Sequence, residues 1–285
     1  MQKFNYHTHT YRCGHADMDY TDDDYIKDYI KMGFKKIAFT DHAPQKNEID
    51  KRQNVRMKYE ERIEYLQSIE ALKEKYKGQI EIQSGYEVEY LPGEEENLKE
   101  LKNETDKLAL GQHFIYDNNK NLKPFNFSGE EAFTDEELIR YAQYIEKAME
   151  LNIPDIIAHP DLFMINSKKF GKIEEKISHM ICKSSEKYNI PLEINLNRIF
   201  NEIYYENKQL NNSILKVQKT KLLNVTYPCK EFWNIATKYN IRVVYGLDVH
   251  HKGQITLYNE LLKLANDILG EGIIGKLNFI EEDDL

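Results

Sequence analysis

Short hydrophobic runs alternate with amphipathic segments along most of this chain. Between most of these runs, apolar residues return at the three-to-four-residue spacing of one helix face. A strand followed by a helix, repeated about seven times, predicts parallel βαβ units and an α/β fold. Seven runs have the composition of strands: Phe4–His7, Lys36–Thr40, Ile80–Glu87, Leu108–Gln112, Asp155–Ala158, Pro191–Ile194 and Arg242–Gly246.

End signals support several of the predicted helices. Thr21 is a candidate N-cap for the first helix, and Gly33 lies near its end. Thr134 and Glu137 form a capping-box pattern before a later helix. The clearest helical pattern extends from Tyr59 to Tyr76, with an apolar stripe of Ile63, Leu66, Ile69 and Leu72. Further helices are predicted at Ile173–Tyr188, Lys230–Tyr239 and Tyr258–Leu269.

Histidines are concentrated at the ends of the strand-like runs. A closed barrel and an open doubly wound sheet both fit the order of strands and helices. Only a ring of strands lets side chains from every carboxyl end meet at one point. We therefore predict a barrel-like fold of about seven strands, with a metal site at their carboxyl ends. Seven of the nine histidines follow a strand-like run: His7, His9, His15, His42, His113, His159 and His250.

Length and composition narrow the class of protein. The 285 residues fit one large domain or two small ones; we predict a single barrel domain over residues 1–285, with candidate lid or insertion loops at 117–133 and 201–220. A net charge of −9 argues against a nucleic-acid surface, which needs a basic stripe. No apolar signal region, bilayer-spanning stretch or CxxC motif is present, so we expect a cytoplasmic protein without membrane contact. The sequence leaves the oligomeric state open.

The first candidate metal ligands are His7 and His9. An HxH motif on a strand points both imidazoles to one side. His15 follows six residues later across a glycine, either as a ligand on a loop that folds back or as a surface histidine. Cys13 is either a thiolate ligand or a packed thiol.

Acidic residues accompany the later histidines. Asp41 and His42 end the second strand-like run, and either could bind a metal. Asp41 could instead orient the neighbouring imidazole or cap a helix. Glu87 and Glu89 point to the same side of the third strand, and their spacing alone does not distinguish which of them bridges two ions.

The remaining candidates follow the same rule. His113 and His159 each end a strand-like run, while Asp248 and His250 provide a carboxylate and an imidazole two residues apart. Seven histidines with Glu87 and Asp248 exceed the ligands of one ion. We therefore predict two or three divalent metal ions, of zinc, manganese or iron.

Taken together, the motifs resemble those of the polymerase and histidinol phosphatase (PHP) family of metal-dependent phosphoesterases. The length, the CGHA at 13–16 and the GYEVEY at 85–90 are most similar to its stand-alone histidinol-phosphatase branch. The resemblance implies a distorted (β/α)7 barrel, related to the TIM barrel, with a site for three ions. The matching motifs cover nearly the whole chain in family order: HTHT at 7–10, TDH at 40–42, GYE at 85–87, GQH at 111–113, AHPD at 158–161 and DVH at 248–250.

The resemblance also implies a ligand set for each ion. It selects Glu87 as the bridging carboxylate, which leaves Glu89 beside a ligand or facing solvent. The implied sets are His7, His9, Glu87 and Asp248 for the first ion, Glu87, His113 and His159 for the second, and His15, His42 and His250 for the third.

The implied reaction is hydrolysis of a small phosphorylated substrate, L-histidinol phosphate, as a step of histidine biosynthesis. Asp161 is a candidate to protonate the leaving alkoxide or to orient a ligand. Arg198 is either a bidentate phosphate clamp or part of a surface salt bridge. The chain departs from the branch after Asp161, where Leu-Phe-Met-Ile-Asn stands in place of basic residues. The alternatives are another small phosphate monoester, a phosphotyrosyl peptide, or a non-enzymatic metal-binding protein.

Overall fold

Eight parallel strands form the main sheet of the computed structural model, which describes residues 2–45, 55–125, 132–167, 169–209 and 225–281. The strands are β1 (Phe4–Asn5), β2 (Lys36–Phe39), β3 (Glu81–Val88), β4 (Lys107–Leu110), β5 (Phe114–Tyr116), β6 (Leu122–Pro124), β7 (Ile156–Ile157), β8 (Leu192–Asn195), β9 (Arg242–Gly246) and β10 (Asn278–Phe279). The order in the main sheet is β1-β2-β3-β4-β7-β8-β9-β10, whereas β5 and β6 form a separate antiparallel hairpin.

The first and the seventh strand of this sheet, β1 and β9, approach each other at their carboxyl ends. Thr8 and Val249, which follow these strands, form an isolated parallel bridge. The amide of His9 donates a hydrogen bond to the carbonyl of Val249 at 2.9 Å, and the amide of Val249 donates to the carbonyl of His7 at 3.3 Å. The seven strands that the hydrophobic runs predict therefore form a ring, and β10 is added beside β9. The predicted distorted barrel is confirmed.

Nine α-helices connect the strands within the described residues. They are α1 (Asp22–Lys31), α2 (Arg62–Lys75), α3 (Glu95–Glu104), α4 (Asp135–Glu150), α5 (Lys172–Tyr188), α6 (Asn197–Gln209), α7 (Lys230–Ala236), α8 (Tyr258–Leu269) and α9 (Glu271–Ile274). Apolar residues of these helices join strand residues in one large buried cluster. None of the described helices is long and apolar enough to cross a membrane.

The predicted helix ends agree with the structure, and one predicted helix face does not. Thr21 and Thr134 both cap their helices in capping boxes, with Asp24 and Glu137 as the reciprocal partners. In α2, however, Ile63 is 47% exposed, so its predicted place in the buried stripe is wrong. Tyr65 and Ile69 are the residues that α2 buries.

Both predicted loops contain regular secondary structure where they are described. Residues 122–124 form strand β6, and residues 201–209 belong to helix α6, because Ile203 and neighbouring apolar residues pack into the core. Residues 126–131 and 210–224, which make up much of the two predicted loops, lie outside the described residues.

A second, smaller apolar cluster fills the interior of the ring. Its members come from alternate positions of the strands, because successive side chains of a strand point to opposite faces of a sheet. The interior cluster consists of Phe4, Tyr6, Ala38, Ala109, Ile156, Ala158, Val244 and Ile280.

Candidate metal centre

The barrel brings all nine predicted metal ligands together. Seven of them follow the carboxyl ends of strands, and Glu87 is the next-to-last residue of β3. His15 is placed by a short helical turn, Tyr11–Cys13, that ends at Gly14 with a left-handed φ of 74°. His179 and His251 bond instead to Tyr239 and Asp17.

Four side chains point at one position near the ring axis. The Nε2 atoms of His7 and His9 lie 3.1 Å apart, and each lies 3.3–3.5 Å from Oδ1 of Asp248. Each is also 3.4 Å from an oxygen of Glu87. Four ligands about 2.1 Å from a zinc ion at the corners of a tetrahedron would be about 3.4 Å apart. The four side chains therefore have the spacing of a metal coordination shell.

Glu87 also contacts a second and a third group of imidazoles. Its Oε1 lies 2.9 Å from Nε2 of His159 and 3.8 Å from Nε2 of His113. Its Oε2 lies 2.9 Å from Nδ1 of His42. The two oxygens thus face different imidazoles, which is the arrangement that a carboxylate shared between cations requires.

The rings of His15, His42 and His250 form the third group. The ring of His15 lies 4.6 Å from that of His250 and 5.3 Å from that of His42, measured between centroids. His250 turns its Nδ1 towards the carbonyl of Asp248 at 3.0 Å. Its Nε2 is buried and has no hydrogen-bond partner among the described residues. A buried imidazole nitrogen with a free lone pair fits a bound cation.

Neighbouring imidazoles keep the two central carboxylates ionised. Burial alone would raise the pKa of Glu87, but the charges of the histidines around it outweigh burial and hold its pKa well below the usual value. The pKa of Asp248 is lowered in the same way, chiefly by His7 and His250 against the effect of burial. Both groups are therefore negatively charged at neutral pH, as cation ligands must be.

Two further carboxylates orient ligand rings from behind. Nδ1 of His7 lies 2.9 Å from Oε2 of Glu193, and Nδ1 of His113 lies 2.8 Å from Oε1 of Glu89. Because a carboxylate only accepts, Nδ1 carries a proton in both rings, and Nε2 is the nitrogen that faces the site and would bind a cation once deprotonated. This answers the question left open for Glu89. Glu193 was not predicted, although a glutamate inside the apolar run Pro191–Ile194 is a signal that could have found it.

Two asparagines, one at the end of β8 and one at the start of α6, donate hydrogen bonds to Asp248. Nδ2 of Asn195 and Nδ2 of Asn197 donate to Oδ2 of Asp248 at 3.1 and 3.2 Å, which leaves Oδ1 for His7 and His9. Asp248 itself has a left-handed φ of 48°, a conformation that aspartate tolerates better than most residues. The sequence gives no local signal for these amides, because their partner lies on another strand.

Two glycines leave space for the carboxylates of Glu87 and Glu193. A Cβ atom on Gly111 would lie 1.9 Å from Oε1 of Glu87, and one on Gly246 would lie 2.0 Å from Oε2 of Glu193. Both distances are far below van der Waals contact. Any side chain at these positions would therefore displace the carboxylate.

Asp41 and Cys13 have clearer surroundings than the sequence indicated. The carboxylate of Asp41 accepts hydrogen bonds from the amide and the hydroxyl of Thr10, at 2.6 and 2.8 Å, and so fixes the chain after His9. It caps no helix in the described part of the chain. Cys13 is buried, and its sulfur lies within 4.8 Å of candidate ligand atoms of His15 and His250.

The two predicted catalytic residues lie beside the centre and make their own contacts. Asp161 is fully buried, and its Oδ2 accepts from the amide of Cys229 at 2.7 Å and from Nε1 of Trp233 at 3.1 Å. Burial raises the pKa of Asp161 to about 7. Arg198, in the first turn of α6, forms an ion pair with Glu202 at 2.9 Å.

We expect Glu193→Gln to weaken metal binding about 10- to 100-fold, the usual effect of removing the partner of a ligating imidazole. The amide keeps the volume of the side chain but removes the charge that fixes the protonation of His7. Competition with a chromophoric chelator measures the affinity. An unchanged affinity would show that Glu193 does not orient His7.

We expect the metal-free protein to lose stability between pH 6.5 and 9. Burial alone would lower the pKa values of His9 and His113, but the carboxylates around them outweigh it and raise both to about 9. A raised histidine pKa stabilises the fold below the unfolded value of about 6.5, and this contribution is lost as the pH rises through the folded value.

Urea unfolding of metal-free protein at pH 6.5 and pH 8 tests this expectation. The lower pH should give the larger free energy of unfolding. The zinc-loaded protein should show the opposite trend, because metal binding requires these rings to be neutral. A metal-free protein that gains stability over this pH range would contradict the expectation.

Comparison with known proteins agrees with this architecture. Residues 5–197 match the family model of the PHP domain. A Deinococcus radiodurans protein named "probable histidinol-phosphatase" is 24% identical over 277 residues, which cover 94% of each chain. The structure of Listeria monocytogenes HisK has a TM-score of 0.71 at 21% identity and covers 89% of this chain and 97% of its own. Histidinol phosphate phosphatase of Lactococcus lactis, solved with zinc, L-histidinol and phosphate, has a TM-score of 0.60 at 17% identity and covers 93% and 94%.

Proposed function

Because this chain belongs to the PHP domain family, we propose that it is a metal-dependent phosphatase that hydrolyses L-histidinol phosphate to L-histidinol and phosphate. The observation that carries the proposal is the convergence of six imidazoles on the carboxylates of Glu87 and Asp248, with the ring of His15 stacked on that of His250. No other arrangement of the described residues collects so many ligand atoms around two buried acids. In this role the protein would act in histidine biosynthesis, and its three free, buried cysteines are compatible with a reducing cytoplasm.

The three groups around Glu87 would hold two or three divalent ions. Zinc is our first choice, since the related Lactococcus lactis enzyme was solved with zinc and the ligand set is rich in imidazole. Manganese and iron accept the same ligands. When bound, such ions lower the pKa of a coordinated water and neutralise charge on phosphate oxygens.

The chain itself keeps these ligands in one protonation state and one orientation. Glu193 and Glu89 hold the Nδ1 protons of His7 and His113, so neither ring can rotate away from the centre. Asn195 and Asn197 fix Asp248. Such fixed polar groups stabilise developing charge without reorganisation during the reaction.

We assign Arg198 as a phosphate ligand. Arg198 follows Asn197 directly, and Asn197 donates a hydrogen bond to the predicted metal ligand Asp248. The backbone of Arg198 therefore lies at the edge of the candidate centre. Glu202, with which it forms an ion pair, lies one helical turn away on α6. An ion pair between partly exposed side chains contributes little stability. A phosphate dianion can therefore compete with Glu202 for the guanidinium.

We expect Arg198→Ala to weaken binding of inorganic phosphate about 10- to 100-fold, because charge-assisted hydrogen bonds are lost. The metal content should stay unchanged. Arg140→Ala is the matched control, since Arg140 bonds to Tyr116 and Asn118 on the outside of the barrel. Equal phosphate inhibition constants for both variants would remove Arg198 from the site.

For Asp161, the contacts favour orientation over acid catalysis. Its Oδ2 is occupied by two N–H donors, and both belong to the start of α7. A role as proton donor would need the second oxygen to reach the leaving group. We therefore propose Asp161 as a positioning residue.

The names of the relatives support L-histidinol phosphate as the substrate, whereas the segment after Asp161 differs from that branch. Leu162, Phe163 and Met164, which stand where the branch carries basic residues, are buried in the core and cannot contact a phosphate. This observation keeps a different small phosphate monoester as the second candidate function.

The deciding experiment is phosphate release from a panel of monoesters, with the metal content of the purified protein quantified in parallel. The panel should contain L-histidinol phosphate, sugar phosphates, amino-alcohol phosphates and a phosphotyrosyl peptide. A strong preference for L-histidinol phosphate with two or three ions per chain supports the proposal. Broad and weak hydrolysis at the same metal content would reject the substrate, and no hydrolysis at full metal content would reject the enzyme.

A further inference from the structure

Tyr227 lies beside the candidate metal centre although it comes from no strand end. It precedes the first residue of helix α7 by three residues and is buried, with 2% of its surface exposed. The centroid of its ring lies 6.2 Å from that of the predicted ligand His159. Within the part of the chain that the structure describes, no hydrogen bond engages its hydroxyl group.

The contacts of Asp161 hold this segment in place. Asp161 follows His159 by two residues, and its carboxylate binds the amide of Cys229 and the indole of Trp233. The chain between Tyr227 and Trp233 is thereby fastened to the turn that carries a predicted metal ligand. We call this connection the Asp161 clasp.

The surroundings of Tyr227 keep its phenol protonated. Besides the effect of burial, the negative charges of Asp248, Asp161 and Glu87 raise the pKa of the phenol, and the positive charge of Arg198 lowers it. With its ring 6.2 Å from that of His159, the buried phenol therefore lies protonated beside the candidate metal centre. At neutral pH it is a hydrogen-bond donor.

We infer that the Tyr227 hydroxyl donates a hydrogen bond to the substrate phosphate, and that the Asp161 clasp positions it to do so. This inference rests on the proposed phosphatase function and adds a phosphate contact to it. A phosphate oxygen suits this position, because a neutral O–H beside carboxylates can donate to an anion without adding negative charge. The proposed phosphate ligand Arg198 would supply the compensating charge.

The first test is calorimetric titration of zinc-loaded Tyr227→Phe protein with inorganic phosphate. Loss of one hydrogen bond to a charged ligand should weaken phosphate binding about 10-fold. The number of zinc ions per chain and the affinity for L-histidinol should stay unchanged. Tyr239→Phe is the matched control, because it removes a hydroxyl that bonds to His179. Phosphate binding by Tyr227→Phe as tight as by the control would overturn the inference.

The second test concerns the clasp. Trp233 is the single tryptophan of the chain, so its fluorescence reports on the contact with Asp161. Asp161→Ala should shift the emission of Trp233 and weaken phosphate binding, and Asp161→Asn, which retains an acceptor oxygen, should restore both in part. Adding Tyr227→Phe to Asp161→Ala should cause no further loss, because both act through one hydroxyl. Fully additive losses would contradict the positioning role.

The inference and the proposed function can fail separately. If the protein binds phosphate through Tyr227 but does not hydrolyse L-histidinol phosphate, the contact stands and the substrate is wrong. If the zinc-loaded wild-type protein binds no phosphate, both are wrong. If Tyr227→Phe hydrolyses L-histidinol phosphate with unchanged KM and unchanged phosphate inhibition, only the inference is wrong.

Discussion

Gly111→Ala should remove the metals from this protein while leaving the barrel folded. The new Cβ atom would lie 1.9 Å from Oε1 and 2.5 Å from the carboxyl carbon of Glu87, so that carboxylate has to move. The same oxygen faces His159 and His113, and its displacement separates two groups of ligands. The free energy of unfolding should fall by about 1–3 kcal/mol, the usual cost of overpacking. Metal analysis and urea unfolding of the purified variant measure the two effects.

Gly272→Ala is the matched control for this substitution. Gly272 lies in helix α9, no atom comes within 4 Å of an added Cβ, and its φ is not left-handed. Alanine is the better helix former, so this variant should be as stable as the wild type or more stable, with a full metal content. If Gly111→Ala also retains its metals, Glu87 does not hold them together.

Glu87→Gln should have the largest effect on activity. The amide has the shape of the carboxylate but no charge, and one of its two oxygens is replaced by an N–H donor that would face imidazole nitrogens or cations. We expect kcat/KM to fall on the order of 10⁴-fold, as for the loss of a central catalytic group. Phosphate release and metal content should be lost together.

Glu174→Gln tests whether this loss is specific. Glu174 is also buried, but it accepts hydrogen bonds from Ser167 and Gly171 at the start of α5, away from the centre. Its replacement should cost some stability and no metal. A Glu87→Gln protein that still hydrolyses the substrate at the wild-type rate would rule out a shared carboxylate.

The ring could be predicted from local patterns because each of its seven strands carries a local signal. β9 has the bounds of the predicted run Arg242–Gly246, and the other six strands of the ring differ from their runs by a few residues at the ends. β10, Asn278–Phe279, lies outside the ring and was not predicted. α3 was missed because only two of its residues, Leu98 and Leu101, are buried, too few for a helical period to stand out.

Some residues of the candidate site could be predicted from local sequence, whereas others depend on partners far away in the chain. Eight of the nine predicted ligands could be proposed because they lie at or after the end of a strand, and strand ends meet in a barrel. Glu193, Asn197 and Gly246 were not found, because their roles depend on residues of other strands. The partner of Glu193 is His7, 186 residues earlier in the chain, and no local pattern reveals such a pair.

The bridge between Thr8 and Val249 also determines when the centre can form during protein synthesis. His7 leaves the ribosome first, and Asp248 follows roughly 240 residues later, on the order of 10–50 s at ordinary rates of translation. Before that moment the ring is open, and the early histidines have neither their fourth ligand nor their neighbouring strand. The complete set of candidate ligands therefore exists only after residue 250 has been synthesised. A chain interrupted before Asp248 cannot acquire the complete centre, whatever the metal concentration in the cell.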